Sequence, residues 1–294
     1  MKSLTVLISN PVAKKATREK IERATHFLRS RGYEIESLLT KQKGDAENFA
    51  REALRKSPSL IIAAGGDGTF NEVVNGMAGS EIPLAIVPLG TTNVLAKEVG
   101  IPENVEDALG IAISRTPRSI SLGKIAFTRH SSLVTRYFLL MAGVGFDGEA
   151  VHGINETIKK LSGKGAYYYS GFRTLVKFHP SRLTLTIDGK SYSGYSGIIG
   201  NAAKYGGNFR ITPDARLTDP VFYVCLFEGR GRLDILRYVF GVTTGKHLSF
   251  RDVKYLKAER VEIDGDAHIQ TDGDYLGKTP AKMEVERDAL KLIF

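Results

Sequence analysis

Up to about residue 115, short apolar runs alternate with amphipathic stretches, which is the grammar of an α/β domain. Leu4 to Ser9 reads as a buried strand, and Thr17 to Arg31 as a helix with Ile21, Ala24 and Leu28 on one face, stopped by Gly32. A strand over Tyr33 to Leu39 follows, then a helix N-capped by Asp45 and carrying Phe49, Ala50, Ala53 and Leu54. Pro58 leads into a strand over Leu60 to Ala64. After a glycine-rich turn the pattern predicts a helix from Thr69 to Ala78, a strand over Leu84 to Val87, and helices over Thr91 to Val99 and Val105 to Arg115. The strand runs are continuous enough for a sheet covered on both faces.

From about Ser119 the texture changes to alternating strands with glycine and aspartate turns, as in Leu183 to Ile187 ending at Asp188-Gly189. This predicts a second, β-rich domain. Further strands are expected at Tyr137 to Ala142, Tyr195 to Gly200, Phe222 to Phe227, Val261 to Ile263, Met283 to Val285 and Leu290 to Phe294. Helical inserts are expected over Asn155 to Phe178 and Leu233 to Val242.

With 294 residues, 42% of them hydrophobic, the chain can fill a core for each of two ordinary domains. No run approaches the roughly 18 uncharged apolar residues of a membrane span, and the start lacks a signal peptide's apolar stretch and cleavage site, so the sequence predicts a cytoplasmic protein with no transmembrane segment. The single cysteine, Cys225, lies in an apolar run and reads as core. A net charge of +9 favours an anionic partner: nucleotide phosphates, an acidic membrane surface or nucleic acid. The basic residues are scattered and accompany no zinc-ligand spacing or aromatic RNA-binding motif, so no nucleic-acid partner is expected.

The strongest chemical signal is Gly65-Gly66-Asp67-Gly68-Thr69-Phe70-Asn71, three glycines between a buried strand and a helix start. Such a turn lets backbone N–H groups converge while the helix directs its unpaired N–H groups and positive dipole end at the same point, a geometry that suits phosphate. Asp67 alone would repel phosphate. Its presence implies a magnesium ion bridging it to a nucleotide or a role as base toward an attacking hydroxyl, against the plainer role of a helix cap. A second turn, Pro88-Leu89-Gly90-Thr91-Thr92-Asn93, follows the next strand, and two such turns at neighbouring strand ends can grip one nucleotide. Gly143-Val144-Gly145-Phe146-Asp147-Gly148 fits G-x-G-x-x-G but lies in the β-rich half without a clear βαβ unit, and Gly241 to His247 is a residue short of a Walker loop and reads as a helix end. No protein-kinase H-R-D or D-F-G is present.

Several motifs in order then carry a resemblance: Asn10-Pro11 after the first strand, Thr40 before Gly44-Asp45-Ala46, GGDGTFNEVVNG from Gly65, PLGTTN from Pro88, AGVGFD from Ala142, Pro213-Asp214-Ala215 with Asp219, and Asp272-Gly273-Asp274. Over nearly its whole length the chain resembles the diacylglycerol kinase catalytic-domain family of soluble bacterial lipid kinases, related to sphingosine and ceramide kinases. The resemblance implies an N-terminal doubly wound α/β nucleotide-binding domain (residues 1–118) and a C-terminal β-sandwich lipid domain (119–285) with a cleft between them, the final strand (286–294) returning to the first domain. It implies ATP contacts by Asn10, Thr40, Gly65, Gly66, Asp67, Gly68, Thr69, Phe70, Asn71 and Thr91, and a general base from the Asp272-Gly273-Asp274 turn, where the family usually has Asp-Gly-Glu. The base is then Asp274, Asp272 or Asp67, any of which satisfies the need for a carboxylate near the lipid hydroxyl. A structural Mg²⁺ is implied at Asp219 with the carbonyls of Arg216 and Val221, although Pro220 stands where a glycine is usual, and Val94 replaces a common aspartate.

The expected function is an ATP-dependent lipid kinase whose lipid is presented at a membrane surface. Phe172, Leu175, Val176 and Phe178 beside Lys159, Lys160, Lys164, Arg173 and Lys177 suit interfacial binding or a core helix with a solvated face. The resemblance also makes a homodimer an expectation, though no motif marks one. The rival readings are an NAD kinase-like phosphotransferase and a nucleotide-regulated lipid-binding protein of weak catalysis.

Overall fold

A computed structural model describes residues 4–13, 15–16, 18–129, 131–153 and 180–294. The insert expected over Asn155 to Phe178, with its apolar and basic cluster, lies outside the described residues, as does Lys14. The chain forms two compact units, Met1–Leu122 with Arg287–Phe294, and Gly123–Glu286.

The first unit is an alternating α/β fold: β1 (Leu4–Ser9), α1 (Arg18–Ser30), β2 (Glu34–Leu39), α2 (Asp45–Leu54), β3 (Leu60–Gly65), α3 (Asp67–Met77), β4 (Ser80–Pro88), α4 (Val94–Val99), α5 (Val105–Ser114) and the start of β5 (Pro117–Arg129). Its strands run parallel in the order β2-β1-β3-β4, and residues 287–293 add a further parallel strand beside β4. Val6, Leu7, Ile8, Ile61, Ile62 and Ala63 are fully buried, as strands covered on both faces must be. Helix α1 buries Ile21, Ala24 and Leu28, the face its periodicity predicts. Helices α2 and α3 pack closely at Gly76, where a Cβ atom would come within 2.5 Å of the Glu47 carbonyl oxygen.

Two local expectations are corrected. The cap of α2 is Gly44, whose φ of 92° places it in the left-handed region, while Asp45 is the first helical residue. Its carboxylate turns back to accept the N–H groups of Lys41 (2.7 Å) and Gln42 (3.0 Å), which hold it below the usual carboxylate range. The helix expected from Thr91 starts only at Val94, because Asn93 adopts φ 50°, ψ 53° and cannot continue a right-handed turn backwards.

The second unit is a β-sandwich. It continues through β6 (Ser132–Phe138), β7 (Met141–Val144), α6 (Phe146–His152), β8 (Leu183–Ile187), β9 (Lys190–Gly194), β10 (Ser196–Gly200), the short pair β11 (Lys204–Tyr205) and β12 (Phe209–Arg210), and β13 (Phe222–Phe227). A helix (Arg232–Thr244) precedes β14 (Val253–Ala258), β15 (Arg260–Asp264), β16 (His268–Thr271), β17 (Asp274–Lys278) and β18 (Ala281–Ile293). One sheet runs β14-β13-β10-β7-β16-β17, all antiparallel; the other joins β15 to β8, β9 and the early residues of β18, with the β5–β6 hairpin attached. Side chains of both sheets fill one core, in which Phe138 and Phe222 stack with ring centroids 5.7 Å apart.

The sequence predicts one strand over Tyr137 to Ala142, but the structure breaks it after Phe138. The N–H groups of Leu139 (2.7 Å), Leu140 (2.9 Å) and Met141 (3.0 Å) all bond the Asp272 carboxylate, which keeps Leu139 and Leu140 out of the ladder and lets β7 begin at Met141. Conversely, the two strands expected around residues 283 and 290 are one, β18, which keeps its course through Asp288 at φ 49°.

Candidate nucleotide site and carboxylate turn

In the first unit, β1 has β2 on one side and β3 on the other, so chain direction across the sheet reverses between β1 and β3. Ligands of open α/β sheets bind at such a switch point, outside the carboxyl ends of the strands. There the structure gathers Asn10, Thr40, the Gly65 turn and the Gly90 turn. Asn10 donates from Nδ2 to Thr69 Oγ1 at 3.2 Å and fixes its own loop by accepting the Val12 N–H at 3.0 Å. Thr40 is buried, its N–H bonded to the Ser9 carbonyl at 3.0 Å. Thr69, Phe70 and Asn71 are buried on α3 as well, whereas Thr91 is exposed.

The two glycine turns touch backbone to backbone. Leu89 N–H donates to the Gly65 carbonyl at 2.7 Å. A Cβ on Gly65 would lie 2.5 Å from Thr69 Oγ1, and one on Gly90 would lie 2.6 Å from both the Gly66 Cα and Asn93 Oδ1. Asn93, wholly buried, clamps its turn by donating from Nδ2 to the Gly90 carbonyl at 3.1 Å, and beyond it Glu103 pairs with Lys15 at 2.6 Å. Gly68 differs from these. A Cβ there would meet nothing within 4 Å, and its φ is not in the left-handed region, so neither packing nor backbone geometry demands glycine. It sits exposed in the first turn of α3, where helical N–H groups have no partner within the helix. A helix start of this kind can serve as an anion cradle.

Asp67 opens α3, but its side chain serves another helix. Oδ1 accepts the Leu95 N–H at 3.1 Å, at the start of α4. Burial pushes the Asp67 carboxyl above its ordinary value, and the N–H groups of Val94 and Leu95, with the charge of Lys97, oppose that rise. The plainer role considered from sequence, a cap on α3 itself, is replaced by a tie between the two turns. Val94 thus contributes a backbone N–H where a side-chain carboxylate is absent.

In the second unit, Asp272 and Asp274 flank Gly273 in the turn joining β16 to β17. Asp272, at φ 49°, spends its carboxylate on the three N–H groups named above, so it positions the turn. Behind the turn lies a network that sequence reasoning missed. Gln270 Oε1 accepts the Gly273 N–H at 2.8 Å, and its Nε2 donates to Asp147 Oδ2 at 2.5 Å. Asp147 also accepts from the Tyr205 hydroxyl. Burial pushes the Asp147 carboxyl upward, and those two donors oppose the rise.

The glycines of the Gly143 to Gly148 motif are explained by that crowding. A Cβ at Gly143 would fall 1.8 Å from Asp147 Oδ2, and one at Gly148 would fall 2.0 Å from the His268 carbonyl oxygen. The motif does open a helix, the seven-residue α6, but within an antiparallel sheet. Cys225 is buried, and burial pushes its thiol up to about 12. Gly245, at φ 72°, ends the helix over Arg232–Thr244 where the Walker-like stretch lies.

Among the described residues no group of three or more His, Cys, Asp or Glu side chains gathers as a metal cluster. The expected ligands Arg216 and Asp219 share one turn, with the Asp219 N–H bonded to the Arg216 carbonyl at 2.9 Å, and Val221 follows half-buried. A carbonyl oxygen has two lone pairs, so this bond is compatible with a cation on the same oxygen.

A family model described as "Diacylglycerol kinase catalytic domain" matches residues 4–125, and one described as "YegS C-terminal NAD kinase beta sandwich-like domain" matches residues 141–294. The chain is 32% identical over 258 residues to a diacylglycerol kinase of Bacillus subtilis (strain 168), covering 85% of this chain and 82% of that protein. To a diacylglycerol kinase of Staphylococcus aureus (strain NCTC 8325 / PS 47) it is 29% identical over 295 residues, covering 98% and 91%. A crystal structure of a diacylglycerol kinase from Bacillus anthracis str. Sterne shares the fold at TM-score 0.78 and 23% identity, covering 100% of this chain and 97% of that one. Yeast NADH kinase complexed with NADH shares it more loosely, at TM-score 0.54 and 12% identity, covering 99% and 83%. The catalytic-domain model and the curated relatives define a kinase, a phosphotransferase. The chain belongs to the diacylglycerol kinase family, and its activity is that of an ATP-dependent lipid kinase.

Proposed function

We propose that the acceptor is a diacylglycerol-like lipid presented at a membrane surface, that Mg²⁺ accompanies the ATP, and that Asp274 is the general base. The observation that carries the nucleotide half of this reading is the open start of α3 at Gly68, set against two glycine turns that Asp67 ties together, the second held in shape by Asn93. The N–H groups of that helix start hold and orient the phosphates. The lipid hydroxyl oxygen attacks the γ-phosphorus, the bond from that phosphorus to the β–γ bridging oxygen breaks with its electron pair leaving on ADP, and the hydroxyl proton passes to the base. Asp274 is favoured over Asp272 because Asp272 already accepts three backbone N–H groups. Asp67 would hold a nucleotide-bound Mg²⁺, which would neutralise charge developing on the phosphate oxygens. A second, structural Mg²⁺ would be held by the Asp219 carboxylate with the carbonyl oxygens of Arg216 and Val221. A cytoplasmic enzyme that visits the membrane, with a homodimer as its working form, completes the proposal.

The test is transfer of labelled γ-phosphate from Mg·ATP to a panel of lipids in mixed micelles, with NAD as a soluble acceptor. Labelled phosphatidic acid from diacylglycerol, lost at least 100-fold in Asp67→Asn, is the expected result. Labelled NADP would select the NAD kinase-like alternative, and ATP binding without transfer to any acceptor would select the lipid-binding one.

A further inference from the structure

The helix Arg232–Thr244 is apolar on two opposite sides. Ile235, Tyr238 and Gly241 form the inner side: Tyr238 packs on Phe227 with centroids 4.7 Å apart, and a Cβ on Gly241 would collide with the Phe250 ring. The helical turn of 3.6 residues places Leu233, Leu236, Val239 and Phe240 on the other side. These are 81%, 49%, 50% and 65% exposed. Surface helices of globular proteins turn polar residues outward, so an outer apolar stripe of four large side chains marks a contact surface.

The surrounding charge identifies the partner. Nearby acids are already engaged: Asp252 pairs with Arg237, Glu228 pairs with Lys254 at 3.0 Å, and Asp234 accepts the Gly231 N–H at 2.9 Å. Arg230, Arg232, Lys246 and Arg251 are exposed and enter no ion pair among the described residues. Two of them precede or begin the helix and Lys246 follows its end, so these three cations flank the two ends of the apolar stripe. A second copy of the chain would bring these cations against themselves. One face of a 13-residue helix, ~20 Å by ~10 Å, also falls far short of the ~800 Å² per partner of a stable dimer. An anionic bilayer satisfies both features, its acyl region taking the leucines and the phenylalanine while its headgroups take the arginines and lysine.

We propose that this helix is a membrane-docking element that seats the C-terminal unit on an anionic lipid surface. The proposal deepens the reading of a membrane-presented acceptor and rests on it. Its test uses the full chain without ATP, sedimented with vesicles of phosphatidylcholine alone or with one third phosphatidylglycerol. Wild type is expected to partition at least 10-fold more strongly to the anionic vesicles. Leu233→Gln/Phe240→Gln, at exposed positions that leave the inner side of the helix intact, is expected to lose at least 10-fold of that partitioning, as is Arg230→Glu/Arg232→Glu. Turnover of a short-chain, water-soluble diacylglycerol is expected to stay within 2-fold of wild type in both variants. Undiminished vesicle binding in either variant overturns the docking role. So does a wild-type dimer, seen by sedimentation velocity, that the apolar variant dissociates without change in vesicle binding. Loss of vesicle binding in a protein that phosphorylates no lipid leaves the docking surface standing and removes the kinase reading alone.

Discussion

Gly68 separates two reasons for a glycine that look identical in a motif. Gly65, Gly66 and Gly90 are required by atoms of the protein, since any side chain there meets Thr69, the opposing turn or Asn93 within 3.2 Å. Gly68 has open space around it and ordinary helical backbone, so nothing in the protein itself requires the missing side chain. Gly68→Ala is therefore expected to raise stability by about 0.5–1 kcal/mol, the usual difference between the two residues in a helix, while weakening ATP binding at least 10-fold. Urea unfolding and calorimetric titration of ATP measure the two effects. A variant with lower stability and unchanged ATP affinity would show that Gly68 serves the fold and not the ligand. Gly90→Ala, by contrast, must push the two turns apart and is expected to lower both quantities.

At the scale of elements, the Asp272 turn holds β16 and β17 in register with the break between β6 and β7. The Asp272→Ala variant leaves the N–H groups of Leu139, Leu140 and Met141 without their carboxylate, and each unsatisfied buried donor costs about 1–3 kcal/mol. A loss of roughly 3–5 kcal/mol is expected after partial access of water to the turn, and denaturant unfolding measures it; a loss below about 1 kcal/mol would show that the three bonds are not limiting. The same carboxylate explains what the sequence could and could not disclose. The α/β half was legible because β1, β3 and the end of β4 are apolar on both faces and α1 and α2 each carry a 3.6-residue stripe, both of which are local patterns. The position of the glycine turn was legible for the same reason, three glycines falling at the junction of two such elements. The strand break at Leu139 was not legible, because its cause lies more than 130 residues away at Asp272. Nor was the Asp147–Gln270–Gly273 network, which joins positions 123 residues apart through a glutamine that carries no motif of its own. The Asn93 clamp left one trace, an asparagine just before a helix start, since asparagine tolerates the left-handed conformation better than most residues.

At the scale of the whole molecule, the chain passes between its two units at Leu122/Gly123 and again at Glu286/Arg287, and both crossings fall inside strands, β5 and β18. Domain boundaries usually lie in exposed, flexible linkers that let one domain open while the other persists. Here β18 pairs with β15 through its first residues and with β4 through its last, so melting either unit withdraws a strand partner from a segment continuous with the other. A single cooperative transition is expected, and Cys225 is placed to report it. The thiol lies in β13, fully buried, and with its pKa pushed up to about 12 the thiolate fraction at pH 8 is on the order of one in ten thousand even before access is considered. In native buffer a chromogenic disulfide reagent should therefore label the protein only through unfolding. Across a urea series the labelled fraction after a short pulse, which reads the C-terminal unit alone, is expected to share its midpoint with far-ultraviolet ellipticity, which reads both units. Labelling at a lower urea concentration than the loss of ellipticity would mean that the β-sandwich opens by itself, and the strands that cross the boundary would then be acting as linkers.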